Sequence, residues 1–229
     1  MSTKFFTNQD TNTLLNKFKG IFEHNTDIEN FDALVGYFRA SGYFKVRPFL
    51  DNVPHIRILV GIDVDKILAK YQSKGLLFQG DANQTLIEFL SEVKSDIQDA
   101  DYNQEIEEGI LQFIEDIATR KIEIKAHPSK KLHAKIYIFK PKGWNEHKSG
   151  YVITGSSNLT ENGLGGTDNF NYEFNVQLKD YDDVKFASDE FERLWIEGIS
   201  ILPIEINKVK KETFLNDGFT PFEVYIKFL

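Results

Sequence analysis

LHAKIYIF, residues 132–139, is the stretch on which the reading of this chain turns. Successive side chains of a strand point to opposite faces, so Leu132, Ala134, Ile136 and Ile138 share one face. His133, Lys135, Tyr137 and Phe139 share the other. The alternation predicts a strand over 132–139 that carries a His and a Lys side by side. An ammonium on a covered face needs an anion or a partner to offset its desolvation. A bound phosphate would serve; an edge strand with one wet face would remove the need.

On either side of this segment the pattern is α/β. Leu14, Leu15, Phe18, Ile21 and Phe22 recur at helical spacing and predict an opening helix that ends near Asn25. FDALVGYF (31–38) and HIRILVGI (55–62) read as buried strands, joined by a short helix from Ser41 to Phe49. Helices are predicted over 64–78, 84–98 and 103–119, with Leu86, Phe89, Leu90 and Val93, then Ile106, Ile110, Phe113, Ile114 and Ile117, as apolar stripes. The second half is richer in strands: 121–126, 132–139, 150–155 and 171–178, followed by a helix over about 184–196. A mixed sheet flanked by helices is the expected architecture. No internal repeat or internal domain boundary is evident, so residues 1–229 read as one domain. Thr220-Pro221-Phe222-Glu223 has the form of a helix start, and its apolar face of Phe222, Tyr225, Phe228 and Leu229 stops at the last residue. That pattern suits a docked terminal helix, or a chain cut from a longer protein with 220–229 opening the next segment; the second is the expectation.

Composition narrows the function. The 229 residues are 41% hydrophobic with 20 Phe, enough for one full core. There is no cysteine, which excludes disulfides and thiolate metal sites and fits a reducing cytoplasm. No apolar run approaches the roughly 20 residues that span a bilayer, so no membrane partner is expected. The net charge of −8 argues against a polyanion, yet it is segregated. From Arg120 to Lys148 nine basic residues face two acidic ones, a net +7 that leaves −15 for the rest. Such a run is a solvated face or a phosphate-binding surface. The five histidines (His24, His55, His127, His133, His147) have no metal-ligand spacing, and His127 and His147 read as surface residues. Neither a metal nor a cofactor is expected.

Two further elements join the His-x-Lys pair. YVIT runs into Gly155-Ser156-Ser157-Asn158-Leu159-Thr160, a small-residue turn feeding a short helix, where free backbone N–H groups favour an anion. Ser156 or Ser157 would serve as N-cap, while the Asn158 amide is placed to donate to a phosphate oxygen. In NYEFNVQL, Tyr172, Phe174, Val176 and Leu178 form the apolar set and Asn171, Glu173 and Asn175 lie opposite. Glu173 is a surface carboxylate or the acceptor that orients an imidazole.

His-x-Lys, then Gly-Ser-x-Asn at the end of the next strand, then a Glu on the strand after, resemble the HKD motif of the phospholipase D superfamily. The resemblance extends from the β-α-β opening with its SGYF segment to FERLW at 191–195, most of residues 30–196. It is nearest to the nuclease branch, in particular to phospholipase D-like domains at the N-terminus of bacterial helicases and in some restriction enzymes. Two departures stand out. The position of the family's Asp is Lys140 here, as in some nuclease members that also lack it, and the insert PKGWNEHKSG lengthens the path from His133 to Asn158.

The resemblance implies a phospholipase D-like α/β fold with helices on both faces of the sheet. It also implies a metal-independent phosphodiesterase acting on nucleic acid, DNA first, through a phosphohistidine. Family members combine two motifs, and this chain carries one. A homodimer would supply the second copy of His133, Lys135 and Asn158. Lys135 and Asn158 would hold nonbridging oxygens, Ser156 would add a hydrogen bond, and Glu173 would orient the attacking His133. Lys130, Lys131, Lys140 and Lys142 would line the nucleic-acid groove, and a fused helicase is a possible neighbour in the chain. The rival readings are a DNA-binding module that has lost turnover and a lipid phosphodiesterase, the latter disfavoured by the acidic balance.

Overall fold

A computed structural model of the chain describes residues 3–9, 11–61, 86–91, 93–94, 104–128, 132–165 and 172–201. The helix expected over 64–78 and the C-terminal helix start fall outside these residues, as do Lys130 and Lys131.

The strands are β1 (Phe5–Thr7), β2 (Ile28–Val35), β3 (His55–Gly61), β4 (Glu123–His127), β5 (Ile136–Pro141), β6 (Tyr151–Gly155), β7 (Phe174–Leu178) and β8 (Ile199–Ser200). They form one sheet in the order β1-β7-β6-β5-β2-β3-β4-β8. β2, β3 and β4 run parallel. β5, β6, β7 and β1 continue outward from β2 as antiparallel neighbours. The carboxyl ends of β2, β3, β4 and β6 and the amino ends of β5 and β7 therefore meet at one edge of the sheet.

The helices are α1 (Leu14–His24), α2 (Ala40–Val46), α3 (Gln104–Ala118), α4 (Glu161–Leu164) and α5 (Tyr181–Glu197), with a further helical stretch at 86–91. The expected helix through Phe49 is split. Pro48 cannot donate to an α-helical ladder, so Arg47–Phe49 tightens into a 3₁₀ turn. α1, α2 and α3 cover one face of the sheet, where Phe18 meets Phe31, Tyr137 and Phe139 edge-on. α5 covers the other face, with Val184, Phe191 and Trp195 packed over Leu34, Leu59, Ile138 and Val152. The α/β class with helices on both faces is as expected.

Two polar clusters pin these layers. Asp116, buried on α3, accepts from Tyr43 Oη at 2.6 Å, Arg47 Nη2 at 3.1 Å and Gln112 Nε2 at 3.0 Å. Burial and the Asp116 charge hold the Tyr43 hydroxyl protonated far above its ordinary range. Under α5, Arg57 forms a bidentate pair with Asp32 (2.7 and 3.0 Å) and bonds Glu192 at 2.6 and 3.1 Å. Its guanidinium also lies 4.9 Å from the Phe191 ring centroid. Lys140 completes this cluster, donating to Ser188 Oγ at 2.8 Å with its ammonium 3.6 Å from Asp32 Oδ2.

Candidate active site

The segment before β5 departs from the expected strand. Residues 132–135 make no ladder, and the strand starts at Ile136. The chain instead crosses the ends of β2 and β3, so close that a Cβ on Gly36 would stand 3.0 Å from Leu132 O and one on Gly61 only 2.6 Å. The absent side chains at these two glycines open the crossing. His133 is exposed and Lys135 half-buried. Lys135 Nζ donates to His133 O at 2.6 Å, which folds the ammonium back against His133.

The turn after β6 supplies the next group. Asn158 Oδ1 accepts from Tyr37 N at 3.0 Å, which leaves its Nδ2 as the donor. Ser157 is buried, bonded to Asn175 Nδ2 at 2.9 Å, and its carbonyl accepts from Tyr137 Oη at 2.8 Å. Burial, reinforced by the nearby Glu173 charge, raises the Tyr137 hydroxyl well above its ordinary value, so it stays a donor. Neither serine caps a helix. α4 begins four residues after Ser157, with Thr160 as N-cap accepting from Gly163 N at 3.1 Å, and it is a single turn.

Glu173 lies immediately before β7. Its carboxylate accepts from Ser156 Oγ, and its backbone N–H donates to Asn8 Oδ1 at 3.0 Å. Among the described residues no hydrogen bond joins Glu173 to the His133 ring, so Glu173 positions Ser156 here. The expected polarity of this strand is also inverted. Tyr172 and Phe174 are 64% and 51% exposed, Phe174 stacking on Phe5 of edge strand β1, whereas Asn175 is buried. Apolar alternation marks a core face only where something covers that face: Leu178 at the end of β7 packs into the cluster under α5, whereas Tyr172 and Phe174 around its start stay exposed.

The sheet edge thus gathers His133, Lys135, Ser156, Asn158 and Glu173. Gly36 and Tyr37 form the hinge between the two halves of the set, Gly36 against His133 and Tyr37 bonded to Asn158. Asn158 and Glu173 also line a cavity of about 350 Å³, with Tyr37, Arg39, Ser41 and Asn162 on its other walls. Tyr37, Arg39 and Asn8 were not singled out from sequence, because nothing in local spacing connects them to residues more than a hundred positions away.

Among the described residues, the cations of the basic segment do not gather into a groove at this edge; Lys130 and Lys131 lie outside those residues. Lys140 stands at the far end of β5, 14% exposed, with its charge engaged by Asp32. Lys142 is exposed beyond it, seven residues and roughly 20 Å of extended chain from Lys135. Lys121 donates to Asp51 O and Val53 O, Lys125 to Trp195 O, and Lys148 to Asp27 Oδ2. His127 is buried on β4 and not a surface residue; its Nε2 lies 3.4 Å from Glu197 Oε2.

Residues 40–195 match the family described as Cardiolipin synthase, PLD-like domain. The chain belongs to the phospholipase D superfamily. Solved structures similar to this PLD-like domain include Nuc from Salmonella typhimurium, a phospholipase D family member (12% identity, TM-score 0.49, 88% of this chain and 98% of that one). NucT from Helicobacter pylori is another (13%, 0.42, 86% and 97%). The phosphatidylserine synthase of Haemophilus influenzae Rd KW20 has TM-score 0.52 at 15% identity and covers 97% of this chain. This PLD-like domain spans 44% of the synthase, and at such identity the likeness speaks for the fold. A comparison with curated proteins finds no match.

Proposed function

We propose that this PLD-like domain is a metal-independent phosphodiesterase that cleaves nucleic acid through a covalent phosphohistidine. The observation that carries the reading is an exposed His133 whose backbone carbonyl holds the Lys135 ammonium beside it, at the sheet edge that also presents Asn158. A phosphodiester needs a nucleophile, an acid for the leaving oxygen, and donors for charge growing on the phosphoryl oxygens. A ring nitrogen of His133 forms the N–P bond while the P–O bond to the leaving group breaks, and the leaving oxygen takes a proton. Water then attacks phosphorus, the N–P bond breaks, and the water's proton returns to the group that gave one up. Lys135 and Asn158 Nδ2 hold the nonbridging oxygens. Ser156, held by Glu173, adds a hydrogen bond.

One His-Lys pair leaves the proton donor unassigned. A twofold homodimer would provide it as the second copy's His133, each half being incomplete alone. The domain would act on DNA in the cytoplasm, as part of a helicase or restriction system.

The test is cleavage of single- and double-stranded DNA in excess EDTA by the wild-type chain and by His133→Ala. Cutting should persist in EDTA and fall by about 10⁴-fold or more in the variant, since one residue type serves as both nucleophile and acid. Retained binding with no cutting by either protein would replace this reading with a DNA-binding module. Full activity in a strictly monomeric preparation would remove the dimer.

A further inference from the structure

We infer that the cavity beside the site is a subsite for one unstacked nucleoside of a single-stranded nucleic acid, which names the substrate class of the activity proposed above and rests on that reading for its place next to the scissile phosphate. The cavity shares Asn158 and Glu173 with the candidate active site, so a group seated in it is attached directly to a phosphate held by Asn158. Its volume of about 350 Å³ is at the small end for ligand sites and takes a single nucleoside-sized group. A base that enters such a space has left its stack and its partner strand.

The walls have the chemistry of a nucleoside. Arg39 lies over the Tyr37 ring, its guanidinium carbon 5.6 Å from the centroid, and its Nε donates to Tyr37 Oη at 3.1 Å. The two side chains thus brace one another and put an aromatic ring and a planar guanidinium on the same wall, both groups on which any base stacks. Ser41 brings a hydroxyl to the wall for base edges or sugar hydroxyls, and Tyr37 Oη, already accepting from Arg39, keeps its own proton to donate. Charge points the same way. The lining sets Arg39 against Glu173, and its other carboxylate, Glu161, pairs with Lys45 at 3.4 Å, so it suits an uncharged base and sugar better than an additional phosphate.

The test separates binding from turnover by using the full chain with His133→Ala as the background. A fluorescent single-stranded 12-mer should bind this protein at least about tenfold more tightly than the duplex of the same sequence. Tyr37→Ala or Arg39→Ala, added to that background, should abolish most of the difference, and Arg39→Lys, which keeps the charge but not the plane, should fail to restore it. Urea midpoints within error of the background protein would show that the fold is intact in each variant. Equal affinity for single strand and duplex, or rescue by Arg39→Lys, would overturn the subsite. So would a preference for phosphatidylglycerol vesicles over the 12-mer. If the single-strand preference and its dependence on Tyr37 and Arg39 hold while the wild-type protein never cuts, the subsite stands and the catalytic reading falls.

Discussion

Lys140 occupies the position that the superfamily motif gives to an Asp, and its surroundings explain how a cation fits there. The side chain projects to the α5 face, where Asp32 is fully buried and Arg57 and Glu192 complete a balanced set of two cations and two carboxylates. Restoring the motif by Lys140→Asp would set a second carboxylate against Asp32, and leaving a buried charge opposed or unpaired costs about 3–5 kcal/mol. Lys140→Met leaves Asp32 its bidentate Arg57 and should cost only about 1–3 kcal/mol. Urea unfolding of the two variants is the measurement. A Lys140→Asp protein as stable as wild type would show that the charge at this position is not what the cluster selects. The same substitution should bring no gain in cleavage, since position 140 lies at the opposite end of β5 from His133.

Elements were legible in the sequence where the core repeats a period. α1, α3, α5 and the central strands lie within a few residues of their expected places, because each buries a stripe that the sequence spells out. What escaped was set by contacts between distant segments. The His-Lys pair sits on a crossing segment and not on a strand, since the room for that crossing comes from Gly36 and Gly61, far away in sequence. β1 and β8 are too short to show alternation, and Asn175 is buried because Ser157 satisfies it. The motif residues themselves were readable, but the cavity wall of Tyr37 and Arg39 was not. The α2 contact follows the same logic and can be tested. A Cβ on Gly42 would stand 2.4 Å from Leu159 O, a backbone atom next to Asn158 that has no flexible end to give way. Gly42→Ala should therefore destabilise by about 2–3 kcal/mol through overpacking. By displacing Asn158 it should also lower kcat on the order of 100-fold. Gly20, in the middle of α1 with nothing within 4 Å of its missing Cβ, is the control. There, Ala should stabilise by about 0.5–1 kcal/mol with activity unchanged.

At the scale of the molecule, Lys125 and Lys140 of the basic segment are engaged on the α5 face, and the titratable groups packed around that face link stability to pH. The His127 imidazole is held below its ordinary 6.5, chiefly because burial disfavours the charged ring, with Arg193 adding to the effect and Glu197 opposing it. The unfolded chain thus binds this proton more readily than the folded one, and stability falls as pH drops below about 6.5 toward the folded value. Glu192 is likewise held below its ordinary 4.5, first by the hydrogen bond from Arg57. Its contribution is complete above about 4.5 and is lost as pH falls through the lower folded value. Unfolding free energies from urea titrations between pH 8 and 3.5 should accordingly be flat above 6.5 and decline in two stages. His127→Gln should flatten the first stage and leave the second, and Glu192→Gln should do the reverse. Because Glu192 is half exposed, its stage should be the shallower and should shrink further in high salt. A His127→Gln curve that runs parallel to wild type from pH 7 to 5 would show that the buried imidazole is not what links folding to protons in that range.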